Sequence, residues 1–256
     1  MKMIFMGRKA YSAQLLEWTL EQGIEVVAVC TDNQFPNSPT AAKAQMLGIP
    51  VISMEEAEQM LIDGADVDLV VSYLYWRKIR KPLIELPKFG CINFHPAILP
   101  DWRGTAGYNV AILYGLKEWG ATAHYVDESI DTGRIIRVSK FPFDPDTATV
   151  VTLEKKTQEI QMELYKEIVL EVRDKGVLPA AEQNMADGRY ISRAEMEAMK
   201  AVDLEHDSAE MIARKIRAFW FPPYDGANIT VDGKRFTLVD ESILKSLIGP
   251  NTTAMV

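Results

Sequence analysis

Cysteine and histidine are scarce in this chain, which has two cysteines and three histidines among 256 residues. Cys30 and Cys91 each lie in an apolar, strand-like run, where we expect a buried free thiol rather than a disulfide or a nucleophile. The spacing of cysteine and histidine matches no zinc-binding pattern. The sequence therefore indicates a protein without thiol chemistry and without a bound metal.

Long apolar runs and clustered positive charge are also missing. No apolar stretch approaches the ~20 residues that a membrane helix needs, and residues 1–9 contain too short an apolar run for a signal peptide. We therefore expect a cytoplasmic protein that does not associate with membranes. The formal net charge of −8 argues against a broad nucleic-acid surface, because affinity for a polyanion comes mostly from clustered Lys and Arg. A single phosphate pocket is compatible with this charge.

Short apolar runs alternate with helical patterns through the first part of the chain. Such runs are typical of strands buried on both faces of a parallel sheet, with helices as the crossovers. The predicted strands are residues 3–6, 25–30, 69–72 and 90–94, and the predicted helices are residues 10–22, 40–47 and 55–62. The pattern predicts a doubly wound α/β fold with a mostly parallel sheet, whose ligands bind beyond the carboxyl ends of the strands.

The rest of the pattern divides the chain into two parts. A helix at 108–114, strands at 121–126 and 133–143 and a long helix from 149 to about 175 complete a main domain of residues 1–178. A small C-terminal subdomain, residues 179–256, is predicted to contain a helix at 208–219 and a β-hairpin at 227–239. The Asp232-Gly233 turn is the strongest local signal for that hairpin.

Two motifs carry an amide, an imidazole and a carboxylate. Asn93 and His95 alternate with apolar residues near a predicted strand end, so both polar side chains leave the same face. An amide donates to a developing oxyanion, and an imidazole moves protons near neutral pH. Asp131, in Ile-Asp-Thr-Gly, is suited to orient that imidazole and to stabilise its charged form. Each residue alone is better explained as a turn amide, a satisfied histidine or a loop carboxylate than as a catalyst, but together they predict acyl transfer.

These motifs resemble the formyltransferase family that uses 10-formyltetrahydrofolate. The family signature pairs Asn-x-His-Pro with Leu-Pro-x-x-x-Gly and a downstream Asp-x-Gly. The match runs without a gap over residues 91–136 and includes Gly-Ala-Thr-Ala-His at 120–124. The resemblance therefore extends well beyond any single residue of the signature.

The resemblance implies a Rossmann-like formyltransferase domain and a folate-dependent N-formyltransferase, with Asn93, His95 and Asp131 as catalytic residues. It also implies a cis peptide at Leu99-Pro100. His124 is expected to support the site from below, although a simple buried strand histidine is an equally good interpretation. The expected co-substrate is 10-formyltetrahydrofolate, and no metal is implied.

Residues 72–79, Ser-Tyr-Leu-Tyr-Trp-Arg-Lys-Ile, follow a predicted buried strand with three aromatic rings and two cations. Such a segment can surround a flat heterocycle, although a strand end followed by an amphipathic helix is nearly as good an interpretation. The resemblance implies that it lines the pterin pocket together with residues 126–130. The expected cofactor-binding residues are Tyr75, Trp76, Arg77, Ile79, Asp127, Glu128 and Ile130.

Two segments bear on the acceptor. Residues 72–77 are similar to the form found in enzymes that formylate nucleotide-linked amino sugars. Residues 216–227, Ile-Arg-Ala-Phe-Trp-Phe-Pro-Pro-Tyr-Asp-Gly-Ala, resemble a segment shared by sugar and methionyl-tRNA formyltransferases. The tRNA enzymes usually carry a longer C-terminal domain than the residues after Tyr190 provide. The leading expectation is therefore an amine of a nucleotide-linked amino sugar.

Other functions stay open at this point. A methionyl-tRNA formyltransferase, whose partner is initiator tRNA, is the nearest rival. A formyltetrahydrofolate hydrolase would give the formyl group to water, but it usually carries an added domain before the catalytic one. A binding protein that has lost turnover is disfavoured, since Asn93, His95 and Asp131 are all present. A homodimer is neither predicted nor excluded.

A sugar nucleotide needs cations for its diphosphate. The loop at residues 7–12 offers a glycine, two cations and a helix N-terminus, but it matches neither Gly-x-Gly-x-x-Gly nor a Walker loop. Arg103 ranks first, because it lies in the Leu-Pro-Asp-Trp-Arg-Gly loop directly after the catalytic strand. The expected substrate-binding residues are Arg8, Lys9, Arg103 and Tyr108, with Arg77 as a further candidate.

Overall fold

The computed structural model describes residues 1–31, 36–105 and 107–247. Its strands in chain order are β1 Lys2–Gly7, β2 Glu25–Cys30, β3 Val51–Ile52, β4 Leu69–Tyr73, β5 Cys91–His95, β6 Trp102–Gly104, β7 Glu118–Tyr125, β8 Ile135–Pro142, β9 Arg189–Ile191, β10 Asn228–Val231 and β11 Lys234–Thr237. Its helices are α1 Ala10–Glu21, α2 Pro39–Met46, α3 Met54–Ile62, α4 Lys81–Glu85, α5 Tyr108–Leu113, α6 Val150–Lys175, α7 Arg193–Ala198, α8 Ala209–Phe219 and α9 Glu241–Leu247.

The main sheet of the described residues has seven strands in the order β3-β2-β1-β4-β5-β7-β8. The strands from β3 to β5 pair in parallel with their neighbours, whereas β7 pairs with β5 in the antiparallel direction. The predicted α/β class with a mostly parallel sheet is thus confirmed. The antiparallel strand is a detail that the sequence pattern leaves open, because its side chains show the same buried run as a parallel strand.

Both faces of this sheet are buried, as the continuous apolar runs predict. Along β1, Met3 and Phe5 belong to one apolar cluster, while Ile4 and Met6 belong to another. Adjacent side chains of a strand point to opposite faces, so two clusters on one strand mean that helices cover both sides. α6 contributes to the first cluster, including the fully buried Tyr165.

Helix boundaries follow local signals in the sequence. Ser53 and Glu56 form a capping box at the start of α3, which satisfies two otherwise unpaired amide groups. Gly23 and Gly48 follow α1 and α2 with φ of +71°, a conformation that favours glycine after a helix end. The predicted helices and strands before residue 100 lie within a few residues of those observed.

The described residues form two compact units. The first comprises residues 1–103, 120–140 and 158–189, and the second comprises residues 104–119, 141–157 and 190–256. In the second unit α5 packs on α8, and a small apolar cluster around Val202, Ile216, Ala227 and Ile243 contains residues that flank the hairpin. The predicted domains, residues 1–178 and 179–256, are each one continuous stretch of the chain, whereas both units combine separate stretches. The predicted domain division stays a prediction.

Several local expectations are confirmed. The hairpin of β10 and β11 turns at Asp232 and Gly233 with φ of +48° and +74°, as a tight hairpin turn requires. The Leu99-Pro100 peptide is cis, and both cysteines are buried and free. Within the described ranges, no helix is both long and apolar enough to span a bilayer.

Candidate active site

The carboxyl ends of β1, β4 and β5 meet at one edge of the sheet. Gly7 pairs with Tyr73, and Tyr73 in turn pairs with Phe94. Three segments therefore lie side by side at this edge: the loop with Arg8 and Lys9, the segment after Tyr73, and the end of β5 at His95. A doubly wound sheet binds its ligands at this edge.

The structure brings Asn93, His95 and Asp131 together and adds His124 to them. Asn93 Nδ2 lies 3.1 Å from His124 Nε2. Oδ1 of Asp131 lies 3.6 Å from His95 Nδ1 and 3.7 Å from His124 Nε2. The side chains of His95, Asp131 and His124 are only 6%, 10% and 3% exposed. Interactions among these groups are therefore strong, because little solvent screens them.

The antiparallel pairing of β7 with β5 explains why His124 is part of this group. Asn93 pairs with His124 in the register of the two strands, and paired residues project to the same face. His124 is buried on β7 beside Asn93, a position that fits both a supporting residue and a simple buried strand histidine. Its contacts with both Asn93 and Asp131 were not predicted, since they depend on strand register that a single sequence does not reveal.

The tautomer of His124 follows from its neighbours. Nδ1 lies 2.8 Å from the carbonyl oxygen of Tyr125, which only accepts, so Nδ1 carries a proton and donates it. Burial lowers the pKa of His124, with the nearby Asp131 acting in the opposite direction. The neutral ring therefore has its lone pair on Nε2 and accepts a hydrogen bond from Asn93 Nδ2 there. This fixes one amide proton of Asn93 and leaves the other for a ligand.

His95 is oriented by a backbone carbonyl. Its Nε2 lies 2.9 Å from Trp102 O, so Nε2–H is the donor and Nδ1 faces Asp131. A second proton taken up by the ring would reside on Nδ1, next to the carboxylate. The Asp131 carboxylate thus faces the ring nitrogen of His95 that is not bound to Trp102 O.

The loop that carries Asp131 is held in an unusual conformation. Asp131 has φ of +57°, a left-handed conformation that is rare for residues other than glycine. The carboxylate of Asp127 accepts hydrogen bonds from Ser129 N at 3.0 Å and Thr132 Oγ1 at 2.6 Å. Gly133 passes so close to β7 that a Cβ atom would lie 1.8 Å from Tyr125 O. The loop therefore packs closely against the end of β7 and tolerates little displacement.

The two segments predicted to line a folate pocket lie in contact. Lys81, directly after residues 72–79, forms an ion pair of 2.9 Å with Glu128. Tyr75 and Ile79 pack into the apolar cluster that also includes Val126, and burial raises the pKa of Tyr75 to about 12. The segments therefore form an apolar floor closed by one salt bridge, which suits a flat heterocycle with polar edges.

The remaining predicted pocket residues differ in their surroundings. Trp76 is 36% exposed and lies next to the guanidinium of Arg77. Arg77 makes two hydrogen bonds to Glu55, so its charge is largely compensated. Asp127 is used within its own loop, while Ile130 is 44% exposed. Trp76 and Ile130 thus expose apolar surface that a ligand can contact.

The predicted phosphate ligands are spread over both units. Arg8 and Lys9 are half-buried at the start of α1, and Lys9 O accepts a hydrogen bond from Thr40 Oγ1 at 3.0 Å. Arg103 Nη2 donates to Gly188 O at 3.1 Å, which ties the loop after β5 to residues 185–188. Tyr108 begins α5 in the second unit. Among the described residues, no cluster of potential ligands suited to a metal ion is found.

Comparisons with known proteins converge on one family. Residues 1–169 match the family model described as Formyl transferase. The chain is 31% identical over 252 residues to a methionyl-tRNA formyltransferase of Wolbachia sp. subsp. Drosophila simulans (strain wRi), with 94% of this chain and 80% of the relative covered. A methionyl-tRNA formyltransferase of Ehrlichia canis (strain Jake) is also 31% identical, over 259 residues, with 94% of this chain and 80% of the relative covered.

Solved structures share the fold. The 4-N formyltransferase from Francisella tularensis has a TM-score of 0.78 at 22% identity, covering 94% of this chain and 97% of that one. An N-formyltransferase from Helicobacter canadensis in complex with folinic acid and dTDP-3-aminofucose has a TM-score of 0.72 at 22% identity, covering 91% and 85%. At such identities the likeness concerns the fold alone.

Proposed function

The chain belongs to the formyl transferase family and is a folate-dependent N-formyltransferase, and on that premise we propose that its acceptor is an amine of a nucleotide-linked amino sugar. Solved neighbours of nearly the same length support the proposal, among them the Helicobacter canadensis enzyme bound to dTDP-3-aminofucose. The observation that carries it is the pairing of surface cations with carboxylates.

Cations of the first unit are repeatedly bound to acidic side chains. Arg77 and Arg80 both contact Glu55, and Lys81 contacts Glu128. A tRNA surface needs clustered cations that release counterions from the phosphates. Here the cations are already paired with carboxylates and the chain has a net charge of −8. A small acceptor with one diphosphate fits these charges better than a tRNA does.

We assign the catalytic steps to the four residues of the site. When bound, 10-formyltetrahydrofolate supplies an electrophilic formyl carbon. Asn93 donates the N–H that His124 leaves available to the oxyanion that forms when an uncharged amine attacks. His95 adds a second donor when its Nδ1 is protonated, and Asp131 stabilises that cation.

The same two residues provide a route for the proton of the amine. His95 Nδ1 and Asp131 Oδ1 lie 3.6 Å apart, so the proton can move between them with a small shift of either side chain. The pair then returns the proton to the leaving nitrogen. No covalent intermediate with the protein is required, and the buried cysteines play no part.

The proposal is tested by mass spectrometry. The protein is incubated with 10-formyltetrahydrofolate and a panel of TDP- and UDP-linked sugars with amines at different ring positions, and acceptor masses are read for the gain of one formyl group. We expect one or a few of the amino sugars to be formylated. Nucleotide-linked sugars without an amine serve as controls.

Methionyl-tRNA is the second candidate, and the 31% identity to methionyl-tRNA formyltransferases over most of the chain supports it. Charged initiator tRNA is therefore included in the same assay. Formylation of the tRNA with a steep salt dependence, and of no amino sugar, would refute the sugar acceptor. Release of formate without any acceptor would instead indicate a hydrolase.

A further inference from the structure

A strand-like pairing brings residues 181–183 beside the loop of residues 127–133, which carries Asp131 and is called the catalytic loop below. The amide of Ile135 donates to Ala181 O, and that of Ala181 donates to Ile135 O, both at 2.8 Å. Gln183 lies two residues beyond this bridge. Its side chain consequently reaches back towards the end of the loop that carries Asp131.

The side-chain amide of Gln183 binds two backbone carbonyls of that loop. Its Nε2 donates to Asp131 O at 3.1 Å and to Gly133 O at 2.6 Å. Carbonyl oxygens only accept, so the orientation of the amide is determined by its partners. Both N–H groups are used on the residues that flank Thr132.

The other end of the amide indicates why it is there. Gln183 Oε1 is buried and has no hydrogen-bond partner among the described residues. A buried acceptor without a partner costs free energy, so Oε1 gives no reason for a glutamine at this position. The two hydrogen bonds that Nε2 donates to the catalytic loop give that reason.

The backbone of the loop needs a hydrogen-bonding partner at residues 131–133. Asp127 holds the first part through Ser129 and Thr132, but the left-handed φ of +57° occurs at Asp131. A residue in that conformation keeps it only where its surroundings fix the backbone. Gln183 fixes the carbonyl of Asp131 itself.

We propose that Gln183 is a positioning residue for formyl transfer. It holds the backbone of residues 131–133 so that the Asp131 carboxylate stays beside His95 and His124. The proposal rests on the catalytic role assigned to Asp131 above. Gln183 does not touch the reacting atoms and acts through Asp131 alone.

The first test replaces Gln183 by methionine, which keeps the length of the side chain and removes both donors. We expect kcat to fall by roughly 10²-fold, because a displacement of about 1 Å can have that effect, with a much smaller change in the KM for folate. Asn184→Ala is the matched control, since the Asn184 side chain bonds to Asp187 in its own turn. Wild-type kcat in Gln183→Met would overturn the proposal.

A double-mutant cycle separates positioning from a general structural effect. If Gln183 acts through Asp131, Gln183→Met should change kcat less than twofold in an Asp131→Asn background. An equal loss in both backgrounds would overturn the proposal. Full activity of Asp131→Asn alone would instead refute the catalytic role of Asp131 on which it rests.

The ring resonances of the three histidines provide a readout that needs no acceptor. In Gln183→Met, the His95 and His124 signals should move towards their positions in Asp131→Asn, while His206, which is exposed and bonds to Asp203, stays in place. Gln183→Asn, which withdraws the amide by one methylene, is measured in parallel in case the methionine variant folds poorly. Unchanged His95 and His124 signals in the folded variants would overturn the proposal.

Discussion

Asn93 and His124 share one hydrogen bond across the boundary between β5 and β7, with Asn93 Nδ2 3.1 Å from His124 Nε2. Because His124 Nδ1 donates to Tyr125 O, the imidazole can only accept at this contact while it is neutral. One proton of the Asn93 amide is thereby fixed, and the direction of the other is determined. The buried histidine therefore orients the Asn93 amide, which we propose as the oxyanion donor.

The first prediction concerns this pair. Asn93→Ala should lower kcat by roughly 10²–10³-fold, which is the loss of about 2.7–4 kcal/mol measured for removal of a principal oxyanion donor. His124→Ala should lower kcat by roughly fivefold, since it removes one orienting hydrogen bond of about 1 kcal/mol. Single-turnover kinetics with saturating folate measure both. A His124→Ala defect as large as that of Asn93→Ala would show that His124 does more than orient the amide.

The second prediction concerns His95 and Asp131. His95→Ala and Asp131→Ala should each lower kcat by roughly 10²–10⁴-fold, the usual contribution of a general acid or base, while the circular dichroism spectrum and melting temperature change little, because both side chains lie at the edge of the sheet and not in its apolar clusters. Glu163→Ala, on the exposed side of α6, is the control. Turnover at the wild-type rate in either site variant would refute the catalytic assignment.

The third prediction concerns Arg103. Arg103→Leu should raise the KM for the acceptor more than the KM for folate, because a cation that holds a diphosphate equally in the ground and transition states contributes uniform binding. Arg103→Lys should restore part of the affinity, since it retains the charge. Arg173→Leu, which removes an arginine paired with Asp174, should change neither KM. Equal increases for both substrates would assign Arg103 to the loop contact with Gly188 only.

The fourth prediction concerns a buried chain of hydrogen bonds beneath β5. Tyr73 OH donates to Gln158, Gln158 to Gln161, and Gln161 to Phe94 O at 3.0, 2.9 and 2.6 Å. Gln161→Leu should cost about 1–3 kcal/mol for each buried group that it leaves without a partner. Urea unfolding measures the loss, with the exposed Gln59→Leu as the control. Because Phe94 lies between Asn93 and His95, kcat should fall as well.

The fifth prediction concerns pH. Burial lowers the pKa of His124 from its ordinary value of 6.5, so below that pH the unfolded state binds more protons at this residue than the native state does. The free energy of unfolding should therefore fall as pH decreases from 6.5, by up to about 1.4 kcal/mol per pH unit. In His124→Gln this contribution should be absent. Parallel denaturant titrations from pH 7 to pH 5 test the difference, and identical slopes would contradict it.

Much of the fold could be predicted because its signals are local. The apolar runs of β1, β2, β4 and β5 are long enough to show strand character, and glycines and capping residues bound the helices between them. The two residues of β3 Val51–Ile52 and the little more than one turn of α4 Lys81–Glu85 are too short to show a strand or helix period. They were not predicted.

The site likewise has features that the local sequence predicts and features that only long-range contacts create. The alternation of Asn93 and His95 with apolar residues places both on one face, and the structure bears out this local arrangement. Gln183 gave no signal, because a lone glutamine in an irregular segment fits any loop. Its position depends on the bridge between Ile135 and Ala181, a contact between residues far apart in the sequence that only the folded chain reveals.

The arrangement of two imidazoles around one carboxylate also determines how many protons the site can hold. With one proton on each ring, the group of His95, Asp131 and His124 carries a single negative charge, and uptake of one more proton at His95 Nδ1 makes it neutral. The lone pair of His124 is occupied by Asn93, so His95 Nδ1 is the ring nitrogen of this group that is left to take up a proton. Formyl transfer moves one proton from the amine to the leaving folate nitrogen, so a site that takes up one proton and gives it back returns to its starting state at the end of each turnover, with no net proton to release.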